Sequence, residues 1–114
     1  MASTFKNAGA AVVTTDDSNA DIYTASGVTA VVHAVYISNH SSSNEAHVDV
    51  KVTVDGGSTF RHIGKSLKIP VENTLVLDKP INLEDGDKLR VIAEENADSS
   101  SPVVEVYASI LEIS

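Results

Sequence analysis

The stretch that decides the fold is Ala46-His47-Val48-Asp49-Val50-Lys51-Val52-Thr53-Val54. Every even position is apolar and every odd position is polar or charged. An extended chain turns its side chains to opposite sides at each residue, so this alternation predicts a half-buried strand with one wet face. The strand stops at Asp55-Gly56-Gly57-Ser58, where glycines supply the positive φ that a hairpin turn demands. Thr59 to Ile63 begins the return strand, and Lys65 to Val71 continues it as far as Pro70. Gly64 between the two predicts a bulge or bend.

Upstream, Val28 to Ser38 carries apolar residues on both alternating sets. Val31, Val35 and Ile37 form one set, with His33 among them; Ala30, Val32, Ala34 and Tyr36 form the other. That pattern predicts a central strand covered on both sides. Its β-branched content argues against a helix. Asn39 to Asn44 reads as a loop with no packing residues. Ala11 to Thr15 and Asp21 to Thr24 are shorter extended pieces, closed by Asp16-Asp17-Ser18-Asn19 and by Ser26-Gly27. Downstream, Thr74 to Leu77, Ile81 to Leu83, Lys88 to Ala93 and Val103 to Ile113 read as strands. Between them lie Asp78-Lys79-Pro80, Glu84-Asp85-Gly86-Asp87 and the polar run Asn96 to Ser101.

About seven to nine short strands with a turn signal every ~8–12 residues predict an all-β fold, a single antiparallel β-sandwich. At 114 residues the chain has room for one domain, here residues 12–114. Residues 1–11 are small and polar and read as a flexible N-terminal arm in which Phe5 is the candidate anchor on a neighbour. In the last strand Ile110, Leu111 and Ile113 crowd apolar side chains onto both faces. They call for a second cover, supplied within the domain or by another subunit, and join Phe5 as candidate interface residues.

The formal charge is −8, from sixteen acidic and eight basic residues. Phosphate-backbone binding needs clustered Lys and Arg, so nucleic acid is not an expected partner. An anionic membrane surface is equally poor, and no apolar run approaches the ~18 residues that cross a bilayer. There is no cysteine, which removes disulfides, thiol catalysis and cysteine–metal sites. No charged start followed by an apolar run marks a secretory signal, so synthesis in a cytoplasm is the expectation.

A search for chemistry finds little. His33, His40, His47 and His62 do not fall at the close spacings of a zinc site. Glu84-Asp85-Gly86-Asp87 packs carboxylates densely enough to raise calcium, but lacks the EF-hand spacing and is also what a tight turn requires. No nucleophile elbow surrounds a serine, and no phosphate-binding glycine loop is present. Tyr23, Tyr36 and Tyr107 stand apart in sequence and read as packing residues. No catalytic residue, cofactor or metal is therefore expected, and the chain reads as a binding and assembly protein, not an enzyme.

Several runs carry a family resemblance: Ile22-Tyr23-Thr24-Ala25; Thr29-Ala30-Val31-Val32-His33-Ala34-Val35-Tyr36-Ile37-Ser38-Asn39; Val48-Asp49-Val50-Lys51-Val52. Ile69-Pro70-Val71-Glu72-Asn73-Thr74-Leu75-Val76-Leu77 and Leu83-Glu84-Asp85-Gly86-Asp87-Lys88-Leu89-Arg90-Val91 extend it. Over most of Ile22 to Ile113 the chain resembles small virion proteins of tailed phages. It departs from them where Ala25-Ser26 replaces the Pro that often follows the Tyr-Thr pair. The resemblance implies a jelly-roll-like sandwich on the particle, a decoration (cement) protein clamping the major capsid protein, and a homo-oligomer, typically a trimer. A neck, collar or tail adaptor is the alternative it leaves open. A carbohydrate-binding module is a third reading, weakened by the absence of Trp and an aromatic share of 4%.

Overall fold

A computed structural model describes residues 3–10, 20–94 and 104–114. Within them the chain runs through nine strands: β1 (Ser3–Ala10), β2 (Asp21–Thr24), β3 (Thr29–Asn39), β4 (Ala46–Val54), β5 (Thr59–Ile69), β6 (Thr74–Leu77), β7 (Ile81–Leu83), β8 (Lys88–Ala93) and β9 (Val104–Ile113). The β-prone run Ala11 to Thr15, the turn after it and the loop Asn96 to Ser101 lie outside the described residues.

The alternating stretch forms β4, and the turn after it holds Asp55, Gly56 and Gly57 at φ of 56°, 68° and 99°. From this hairpin the chain pairs outward in nested fashion. β4 pairs β5, β3 pairs β6 and β7, β2 pairs β8, and β1 pairs β9, all antiparallel. The two resulting sheets run β1-β9-β3-β6, with β7 also on β3, and β2-β8-β4-β5. With β6 and β7 counted as one strand broken at Asp78-Lys79-Pro80, this is the eight-strand connectivity of a jelly roll. The sandwich expected from the sequence is present, with its topology now specified.

The core lies between the sheets. Val32, Val35 and Ile37 of β3, Val48 and Val50 of β4, Leu89 and Val91 of β8, and Ile110 of β9 are fully enclosed. β3 departs from the two-sided burial expected of it. Ala30 and Val32 face the core, and so do Val35 and Ile37, because the β9 register shifts between Val32 and Ala34. His33 is the extra residue of this bulge. A bulge reverses which parity points inward, so one buried face draws on both sets of residues and the opposite face stays open.

The segment expected as an arm is laid against the sheet as β1. It pairs β9 from Ser3↔Ile113 to Ala10↔Val106, while Ser3 to Asn7 keep their side chains exposed. Backbone bonds to one neighbour hold it. Gly9 permits the approach, since a Cβ there would overlap the Val106 carbonyl oxygen.

The loop after β3 differs from expectation. Asn39 is 1% exposed and its amide donates to the carbonyl oxygens of Asn44, Ile69 and Pro70 at 2.9, 3.1 and 3.3 Å. Its Oδ1 accepts the N–H of Ser41 at 2.9 Å. The loop packs by polar contacts in place of apolar ones.

A candidate docking face on the outer side of one sheet

Antiparallel neighbours point to the same side, so the register defines the outer face of the β1-β9-β3-β6 sheet row by row. One row is Phe5, Leu111, Val31 and Asn82. Another is Gly9, Tyr107, Tyr36 and Val76. Between them lie Asn7, Ser109 and Ala34, and at the near end Ser3, Ile113 and Thr29. No Asp, Glu, Lys or Arg occurs in these four rows, on a chain of charge −8, and the next row, Glu105, Ser38 and Thr74, adds a carboxylate at the far end. Phe5 is 81% exposed, and Tyr107, Val76 and Tyr36 are 49%, 45% and 43% exposed. The Tyr36 and Tyr107 rings meet at 6.1 Å between centroids, tilted by 52°. A water-facing sheet surface normally carries polar residues at these positions. Charge depletion with Tyr and Phe enrichment is the composition of an interface core.

Two expectations are corrected here. Ile110 is fully buried between the sheets and belongs to the core, because its parity in β9 faces inward with Val106 and Ala108. Tyr36 and Tyr107 are not packed inside but open to solvent and in contact with each other. Phe5, Leu111 and Ile113 do share the outer face. The signal for the missing members is the excess of apolar residues in β3, which a reading of two-sided burial assigns to the core.

Tyr23 follows the packing expectation. Its hydroxyl donates to Glu112 Oε2 at 2.5 Å, joining β2 of one sheet to β9 of the other. Burial, then the hydrogen bond and charge of Glu112, push the phenol pKa above its ordinary value.

The outer face of the β2-β8-β4-β5 sheet has the opposite character. Arg90 Nε donates to Asp21 Oδ1 at 2.7 Å, and the guanidinium lies 4.2 Å from the centre of the Phe60 ring. Asp49 accepts the Ser66 N–H at 2.9 Å and the Lys65 ammonium at 3.2 Å. Burial pushes its carboxyl up, but Ser66, Glu94 and Lys65 together hold it below the usual carboxylate range. These charges are consumed in pairing within the sheet.

The Glu84-Asp85-Gly86-Asp87 segment is a turn. Asp87 N–H donates to the Glu84 carbonyl at 2.9 Å, and Asp87 Oδ2 accepts the Glu84 N–H at 3.0 Å. Among the described residues no group of three or more His, Asp or Glu side chains is arranged to hold a metal ion. No helix there is long and apolar enough to cross a membrane.

No protein-family model matches the chain, and no curated protein matches it.

Proposed function

We propose that this chain is a non-enzymatic structural protein of a tailed-phage particle, a decoration protein that lays the outer face of its β1-β9-β3-β6 sheet on the major capsid shell. The observation that carries the reading is that face: rich in exposed Tyr, Phe and aliphatic side chains, with Glu105 as a carboxylate at one end, on a chain of −8. The resemblance of most of Ile22 to Ile113 to small virion proteins supplies the particle. The body measures 48 × 25 × 20 Å, and one of its broad faces has room for the roughly 800 Å² per partner of a standard protein interface.

The mechanism is linkage. A protein that binds the assembled shell and not its dissociated subunits shifts the equilibrium toward assembly, by an amount set by its affinity and concentration. A rigid sandwich suits this, since little conformational freedom is lost when a preformed face docks.

Quantitative mass spectrometry of purified virions tests the reading. Hundreds of copies per particle, in fixed ratio to the major capsid protein, are expected. A dozen copies or fewer would move the protein to a neck, collar or tail ring. Absence from the particle would overturn the virion reading.

A further inference from the structure

The outer face ends in a cavity. Beyond the row of Tyr107, Tyr36 and Val76 come Glu105, Ser38 and Thr74. Ser38 and Thr74 also line a cavity of about 310 Å³, together with Asn39, His40, Glu72 and Asn73. His40 Nε2 lies 3.1 Å from Ser38 Oγ and 3.5 Å from Glu105 Oε1, so Glu105 adjoins the same wall.

The amide donors of Asn39, Glu72 and Asn73 are spent on the fold. Asn39 N–H donates to the Asn73 carbonyl at 2.9 Å, Glu72 N–H to the Ser41 carbonyl at 3.1 Å, and Asn73 N–H to the Pro70 carbonyl at 3.2 Å. The Asn39 side chain holds three carbonyl oxygens, and Asn73 Nδ2 donates to the Val71 carbonyl at 2.8 Å. What these walls offer is acceptors: the Glu72 and Glu105 carboxylates and the hydroxyl oxygens of Ser38 and Thr74. An occupant must bring donors and positive charge. A guanidinium has five N–H donors in one plane and no acceptor, where an ammonium has three on one atom. Its fork also takes a carboxylate by two bonds at once.

We infer that this cavity receives an arginine side chain of the shell protein, which orients the docked sandwich at this end. The inference rests on the proposed docking of the outer face and names the chemistry its partner shows there. The four neighbouring rows carry no Asp, Glu, Lys or Arg, so this end is where charge sets the register of the contact. A chain of −8 favours the approach of a basic group.

Two probes separate the cavity from the docking. In amide NMR of the full-length chain at constant ionic strength, N-acetyl-arginine methylamide is expected to give saturable shifts at Ser38, His40, Glu72 and Asn73. The citrulline counterpart, uncharged and of the same length, is expected to give none. The double variant Glu72→Gln with Glu105→Gln is expected to lose the response to arginine. No response, an equal one to citrulline, or one that the double variant retains would overturn the inference. On purified undecorated shells the double variant is expected to bind about fivefold more weakly than the wild type at low salt, the scale of part-exposed ion pairs. The gap is expected to close at high salt, which screens such pairs. Equal binding would overturn the inference and leave the docked face standing. A wild type that takes up the arginine compound but ignores shells would overturn the docking reading, and with it the shell as the source of the side chain.

Discussion

Asn39, itself buried, spends both amide donors on three carbonyl oxygens and its acceptor on Ser41. Asn39→Asp keeps the shape and replaces the donors with an acceptor, so buried carbonyls are left facing a carboxylate. An unmade buried hydrogen bond costs about 1–3 kcal/mol, and a loss of that order or more is expected in denaturant unfolding, with Asn39→Ala milder. Asp49 gives a second expectation, with a sign. Its folded pKa lies below the unfolded value of about 3.9. Its stabilisation is therefore present above that pH and lost as pH falls through the lowered folded value. Acid unfolding of Asp49→Asn should be shallower than that of the wild type in this range, and identical pH profiles would rule the linkage out. Neither arrangement was legible in the sequence. Asn39 reads as a loop residue because its partners Ile69 and Pro70 lie about thirty positions away, and only the closed roll brings them in. The charged outer side of β4 was legible, since alternation alone assigns Asp49 to it.

Alternation works when a strand carries no extra residue of its own, and β4 carries none: its register with β8 is unbroken, and the bulges in its pairing with β5 fall on β5. β3 carries one. The bulge at His33 carries no glycine to announce it, so two inward sets merge into one apolar-looking run. β6 and β7 were legible as separate strands, but not as halves of one strand, because that depends on both pairing β3. β1 shows the opposite limit. Its small polar residues have no alternating pattern, and its place is set by backbone bonding and by Gly9. Gly9→Val would drive a branched Cβ into the Val106 carbonyl. The expected result is loss of hydrogen-exchange protection across β1 and the β9 amides facing it. Protection in β3, β4 and β8 should persist, because their contacts lie across the other edges. Uniform loss of protection would mean instead that β1 folds as one unit with the core.

The two broad sides of the molecule divide the work unequally. One pairs its charges internally through Arg90, Asp21, Asp49 and Lys65, and the other shows tyrosines, a phenylalanine and aliphatics, with Glu105 at one end. A surface kept apolar against water costs solubility, so a covering partner is its most economical explanation. If the outer face is what meets a shell, the Tyr36–Tyr107 pair on its two inner strands, β3 and β9, should dominate the contact, as well-packed aromatic residues do in protein interfaces. Tyr36→Glu with Tyr107→Glu places two carboxylates where the partner must desolvate them. Both side chains are near half exposed, so the variant should fold with an unfolding temperature close to that of the wild type. Its binding to purified undecorated shells should fall at least about tenfold, a loss of about 1.4 kcal/mol or more. Lys68→Glu on β5, an exposed position of the opposite sheet, adds comparable negative charge elsewhere and should bind as the wild type does. Equal losses in both variants would point to long-range repulsion and not to a docked face. Undiminished binding by the tyrosine variant would remove this side of the sandwich from the contact altogether.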